Sequence, residues 1–145
     1  MKLLNSLQPL ALLLLRVGLG VIFLTHGYPK IAKPVPAMFS LFVQHGLPGY
    51  FVYVTGVLET FGGLLLIVGL FTRAAALLLV AEMAVAIFKV HNGGGILGIH
   101  YYEFPLSLAV ACFALAAVGP GWISLDAMFF GEGSGKSRAQ RPARK

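Results

Sequence analysis

Charge is what this sequence has least of. Only 11% of its 145 residues are Asp, Glu, Lys or Arg, where a soluble domain carries about 25%. Acidic residues number 5, too few to coat a water-facing surface. There is a single cysteine, Cys112, which excludes an intramolecular disulfide, a CxxC redox pair and a cysteine-cornered zinc site. No two histidines stand four apart on one predicted helix, so no pair is placed to share a metal ion. The glycine run Asn92-Gly93-Gly94-Gly95 reads as a turn; it lacks the Lys-Ser/Thr of a phosphate loop and follows no strand. What the chain has in excess is apolar surface: 58% hydrophobic residues and a mean hydropathy of +0.85. A soluble globule of this size cannot hide that much. The chain is built for lipid.

The net charge of +6 does not mark a nucleic-acid partner. Five cations (Lys136, Arg138, Arg141, Arg144 and Lys145) sit in one terminal tail, a clustering that membrane topology explains better than a DNA-binding face. Four apolar segments stand out, at about residues 9–25, 50–71, 74–90 and 104–118. A span needs about 20 residues, with a range of roughly 17–25. The second segment meets this comfortably. The fourth does so only if Tyr101, Tyr102 and the Gly119-Pro120-Gly121 turn lie in the interfaces, where aromatic residues such as Trp122 settle. The expected fold is an all-α integral membrane protein: a four-transmembrane-helix bundle over residues 1–130, then a basic disordered tail over 131–145. The first segment reads as a retained anchor, because Arg16 interrupts its apolar core and no small-x-small cleavage site follows.

Loop cations set the orientation. Lys2, Arg73 and the five tail cations fall on one side, and Lys30, Lys33 and Lys89 on the other. The positive-inside rule then places both termini in the cytoplasm of a cell inner (plasma) membrane. His26, His45, His91 and His100 all fall on the outer face, as do the two longer loops, 26–49 and 89–103. A functional mouth belongs on that side. Small residues such as Gly20, Gly56, Gly62 and Gly63 are the usual material of helix contacts in lipid. No internal repeat of transporter type is visible.

Arg16, Glu59 and Glu82 lie inside predicted spans, where a central charge costs about 2.5–3.5 kcal/mol and so requires a partner, a proton or a route to water. Counted at about 1.5 Å per residue from the cytoplasmic span ends, they lie at similar depths, roughly 10–16 Å. That suggests a buried Arg16–Glu59 pair with Glu82 nearby and protonated. Such a pair either fixes helix register or forms a ligand or proton site. His26, Lys30, His91 and His100 are candidates for the outer rim. The histidines fit hydrogen bonding to helix-end carbonyls better than metal or haem ligation. Cys112 reads as a small packing residue.

The polar and glycine positions also form a pattern. Arg16-x3-Gly20-x2-Phe23-x2-His26-Gly27-x2-Lys30 resembles the opening signature of the DoxX family of small membrane proteins. Glu59-x2-Gly62-Gly63-Leu64 and Gly69-Leu70-x2-Arg73 resemble its second-helix signature, and Gly119-Pro120-Gly121-Trp122 with Ser124-Leu125-Asp126 its C-terminal end. The resemblance covers about residues 10–130. It implies a redox-associated inner-membrane subunit, since the family takes its name from a subunit of a thiosulfate:quinone oxidoreductase, though most bacterial members have no assigned reaction. Arg16, His26, Glu59 and Arg73 carry the family's polar motif positions. The cofactor stays open, with a quinone ahead of haem, and no metal site is expected. Without a thiol pair, redox work needs a bound cofactor, redox partner subunits or a homo-oligomer in the bilayer. The rival reading is a non-enzymatic scaffold or a small-molecule permeation protein.

Overall fold

The computed structural model describes residues 2–91 and 98–131, with side chains from residue 6 onward. The glycine-rich stretch 92–95 and the basic tail over 132–145 lie outside the described residues. The described residues are helical and contain no strand. The elements are α1 (Lys2–Ala32), α2 (Pro36–Gln44), α3 (Phe51–Val68), α4 (Thr72–Val85), a π-helical turn (Ala86–Val90), α5 (Ile99–Val118) and α6 (Leu125–Phe130). Three helical stretches are long and apolar enough to cross a membrane: Ser6–Ala32, Phe51–Val68 and Ile99–Val118.

The boundaries differ from those read in the sequence. The first helix was expected to stop near residue 25 but continues to Ala32, through Gly27 and Pro29. Gly27 lies against α3 within the helix, and the rod ends where Pro34 and Pro36 approach. Val35, ahead of Pro36, is extended (φ −94°, ψ 147°) and Pro36 opens α2, as expected of a proline at the first helical position. The outer loop therefore holds a helix of its own. The fourth segment, short in the sequence, is a full helix of 20 residues from Ile99. The third is divided instead, into 14 residues of α-helix and 5 of π-helix.

α1 and α3 run antiparallel along a seam of glycines spaced by seven on both helices. A Cβ on Gly27 would lie 2.6 Å from the backbone nitrogen of Thr60, and one on Gly63 would lie 2.7 Å from the carbonyl oxygen of Gly20. The backbones touch. Close approach of this kind drives association in lipid, where water exclusion gives nothing. α4 folds back on α3 through a tight turn at Gly69, whose left-handed conformation (φ +73°) closes α3 with Gly69 N and Leu70 N both donating to the Leu65 carbonyl. α5 packs antiparallel on α4. Leu19, Phe23, Leu66, Leu79, Cys112 and Leu115 form the buried core.

The outside is apolar too: Leu14, Phe61 and Phe113 are about 60% exposed. Arg16 and Glu59 are the reverse, at 2% and 5%. Charge is turned inward and hydrocarbon outward, the arrangement that a lipid solvent selects.

Candidate functional site

Arg16 and Glu59 are both buried, but they do not pair. The Arg16 guanidinium donates from Nε to the Leu66 carbonyl (3.0 Å), from Nη1 to Pro120 (2.7 Å) and from Nη2 to Ile123 (2.9 Å). It gathers the carbonyls at the C-terminal end of α3 and those that follow α5. The expected Arg16–Glu59 pair fails on register. Gly27, and not Arg16, lies opposite Glu59, and eleven residues of α1 separate the two levels by about 16 Å. Depth counted from the apparent start of the first span misplaced Arg16, because α1 begins well before residue 9 and Arg16 sits level with the last turn of α3.

Glu59 pairs instead with Lys30, Nζ to Oε2 at 2.5 Å, with side chains 20% and 7% exposed. Lys30 thus moves from the expected rim into the site. The cause is the glycine seam: with no side chain at Gly27 or Gly56, the last turns of α1 lie against α3. A Cβ on Gly56 would come within 2.8 Å of the Lys30 Cβ.

The pair stands in the wall of a cavity of about 650 Å³. α1 contributes Ile22, Phe23, His26 and Lys30, and α3 contributes Val52, Thr55, Leu58 and Glu59. α4 and the π-turn add Leu78, Glu82, Met83 and Ala86, and α5 adds Phe104, Pro105 and Leu108. α2 covers one side with Met38, Leu41 and Phe42. Glu82 therefore shares a cavity with Glu59, as the sequence suggested, while Arg16 lies outside its lining. The Glu82 Oε2 is buried and has no hydrogen-bond partner.

Two of the expected rim histidines line the cavity, His26 and His91. His26 Nδ1 donates to the Ile22 carbonyl (2.8 Å) and its ring lies 5.8 Å from that of Phe104. His91 Nδ1 donates to Ala86 (3.0 Å), tying down the π-turn. A bond at Nδ1 fixes each ring and leaves Nε2 for a ligand. His100 is not among the lining residues. Among the described residues, no three of His, Cys, Asp and Glu gather as a metal site.

A second polar knot closes the opposite end of the bundle. Asp126 accepts from Phe71 N (2.7 Å) and Thr72 N (2.9 Å), capping α4 from the far end of the chain. Arg73 Nη1 donates to the Ala116 and Ala117 carbonyls (3.0 and 3.2 Å), capping α5. The Asp126 cap was not foreseen; its sequence signal is only a Ser-x-Asp after a Gly-Pro-Gly turn.

Membrane-length apolar helices, inward charge and an ion-paired cavity within the bundle define an integral membrane protein with an internal apolar site. Comparison with known proteins places it further. The family profile of DoxX matches residues 11–92, and the chain belongs to the DoxX family. It is 32% identical over 126 residues to a Bacillus subtilis protein named "Putative oxidoreductase CatD", covering 87% of this chain and 92% of that one. An uncharacterized membrane protein of Mycobacterium tuberculosis is 31% identical over 138 residues, covering 86% of this chain and 85% of its own. Inner membrane protein YphA of Escherichia coli is 29% identical over 139 residues, covering 84% and 92%. No solved structure matches the chain significantly.

Proposed function

We propose that this protein is a redox-associated subunit of the plasma membrane that binds a quinone-class molecule in the cavity beside Lys30 and Glu59. The observation that carries the reading is the composition of that cavity. Apolar walls from six elements suit a hydrophobic ring and chain, and a few converging polar groups fix a headgroup. The Lys30 ammonium suits its carbonyl oxygens, and the unpartnered Glu82 Oε2 is a polar atom without a use inside the protein. A quinone, when bound, supplies two-electron, two-proton chemistry. The chain's own part is to hold the headgroup, exclude water and place protonatable groups beside it. With one thiol, the chain has no dithiol couple, so electrons reach the site through a further cofactor, a partner subunit or a second copy. The oxidoreductase name of the Bacillus subtilis relative favours this reading, and the inner-membrane name of the Escherichia coli relative favours the location.

In this reading α4 with its π-turn makes the fourth crossing, the Arg16–Asp126 end faces the cytoplasm with both termini, and the cavity opens outward. Passage through the bundle is the weaker alternative, because Leu19, Leu66, Leu79 and Leu115 fill the interior beyond the cavity.

The test is mass spectrometry of gently purified protein. Stoichiometric quinone should co-purify and be lost from folded Lys30→Ala and Glu59→Gln variants. Repeated recovery of folded protein with neither quinone nor a redox partner would sink the proposal in favour of a scaffold.

A further inference from the structure

Two carboxyls share one cavity, and their surroundings differ. The groups that face Glu82 can be taken element by element. From α1 come Lys30 and His26, from α3 comes Glu59, and beyond the π-turn comes His91. α2 and α5 contribute only apolar side chains to the lining, among them Phe42, Phe104 and Leu108. The one cation is already engaged: Lys30 Nζ is bonded to Glu59. Glu59 therefore has its counter-ion and Glu82 has none.

We infer that the two carboxyls divide the work: Glu59 is the fixed counter-ion of Lys30, while Glu82 is held as the neutral acid, whose carboxyl O–H donates a hydrogen bond to a carbonyl-type oxygen of a neutral headgroup. This deepens the proposed function and rests on its cavity; what it adds is the residue that recognises the ligand and the charge class recognised.

An ionised carboxylate needs several donors or a cation, and leaving one buried without them is among the most costly arrangements in a protein. A carboxylic acid needs much less, and its O–H becomes a donor. Glu82 lines the cavity and its buried Oε2 has no partner, so the group lacks what an anion needs and, as an acid, has an O–H to offer an incoming acceptor. The π-helical turn begins four residues later, at Ala86. Such turns leave the regular ladder and often mark ligand sites in helices.

Charge balance then fixes the ligand class. Lys30 and Glu59 cancel each other, and a neutral Glu82 adds nothing. An anionic headgroup would have to break the ion pair to find a cation, and a cationic one would compete with Lys30 for Glu59. A neutral oxygen acceptor needs neither.

Infrared difference spectroscopy of the full chain in lipid nanodiscs at neutral pH reads this directly. A protonated-carboxyl C=O band should be present, be lost in Glu82→Gln and survive in Glu59→Gln. Glu82→Asp, which keeps the acid, should displace the band without abolishing it, so the assignment does not hang on the glutamine variant folding. Lys30→Ala should add a second acid band, from Glu59. Decylubiquinone should move the Glu82 band to lower frequency, and decanoate, an anion of similar chain length, should not. Absence of an acid band in the native protein, or a band unmoved in Glu82→Asp, overturns the division of work and leaves the quinone proposal standing. A Glu82 band that decylubiquinone leaves unshifted overturns the ligand assignment and the quinone reading together.

Discussion

Single residues here act through register. Gly27 has α3 backbone 2.6 Å from where a Cβ would stand, so Gly27→Ala must push α1 and α3 apart. Overpacking of this kind costs about 1–3 kcal/mol, and the separation would also stretch the Lys30–Glu59 pair. Gly18 has nothing within 4 Å of its Cβ position, so Gly18→Ala on the same helix should be neutral or slightly stabilising, by up to about 1 kcal/mol. Unfolding titrations in mixed micelles would compare the two; equal losses would show that glycine matters there for something other than contact. Arg16 carries a second prediction. Its planar fork reaches three carbonyls on two segments, a geometry that lysine cannot reproduce. Arg16→Ala and Arg16→Lys should both destabilise, the former by on the order of 3 kcal/mol, since hydrogen bonds from charged donors contribute roughly 1.5–3 kcal/mol each. Ligand occupancy per folded molecule should be unchanged, because Arg16 does not line the cavity. That Arg16, Glu59 and Glu82 would be special was legible in the sequence, since ionisable groups in apolar runs stand out at sight. Their partners were not. Each residue of error in a helix start moves a side chain 1.5 Å along the axis and about 100° around it, and α1 begins several residues ahead of its apolar run.

At the scale of elements, the sequence shows apolar runs but not what ends them. The α4 N-terminus is the clearest case. Phe71, which precedes it, is in the left-handed region (φ 48°), unusual for a residue with a side chain. Phe71 N and Thr72 N point their unpaired donors at one carboxylate, Asp126, which lies more than fifty residues away in sequence. Ser124 in turn caps the short α6 by accepting from Ala127 N, fixing Asp126 in place. A cap supplied from so far along the chain leaves no local signature, whereas Gly69, which closes α3, is legible as a Gly-Leu after an apolar run. Asp126→Ala should cost about 1–2 kcal/mol, the upper range for losing a cap, and Asp126→Asn less, since one acceptor oxygen survives. Hydrogen exchange at Phe71 and Thr72 should accelerate in the alanine variant while amides in mid-α3 keep their protection. Uniform acceleration would mean that Asp126 holds the whole bundle and not one helix end. α2 was hidden for another reason: its nine residues bury nothing completely, so only the Val35-Pro36 start announced it.

For the whole molecule, the two ends differ in kind. At one end Arg16, Arg73 and Asp126 knot together the C-termini of α3 and α5 and the N-terminus of α4. At the other, Lys30 and the histidines stand over the cavity under α2. The alternation of helix direction follows from contacts: Gly20 against Gly63 and Gly27 against Thr60 make α1 and α3 antiparallel, and Arg73 on the carbonyls of Ala116 and Ala117 does the same for α4 and α5. α1 is the exception in length. Its 31 residues extend about 46 Å at 1.5 Å each, well beyond an apolar layer of about 30 Å, so its first turns pass the knot into the interface or beyond. The proposed orientation puts those turns, Arg73 and the tail together in the cytoplasm, where the cation excess belongs. The single cysteine makes this testable without interference. In a Cys112→Ala background, still folded because a small residue replaces a small one, new cysteines at Ser40 on α2 and at Ser134 in the tail report on opposite sides. In intact cells of a Gram-negative host, a membrane-impermeant maleimide that passes the outer membrane should label the first and not the second, and permeabilised cells should add the second. The reverse pattern would place the cavity mouth at the cytoplasm, where a bound quinone would meet a different proton supply. Labelling of both from outside would mean an odd number of crossings, which α4 and its π-turn could produce only by failing to span.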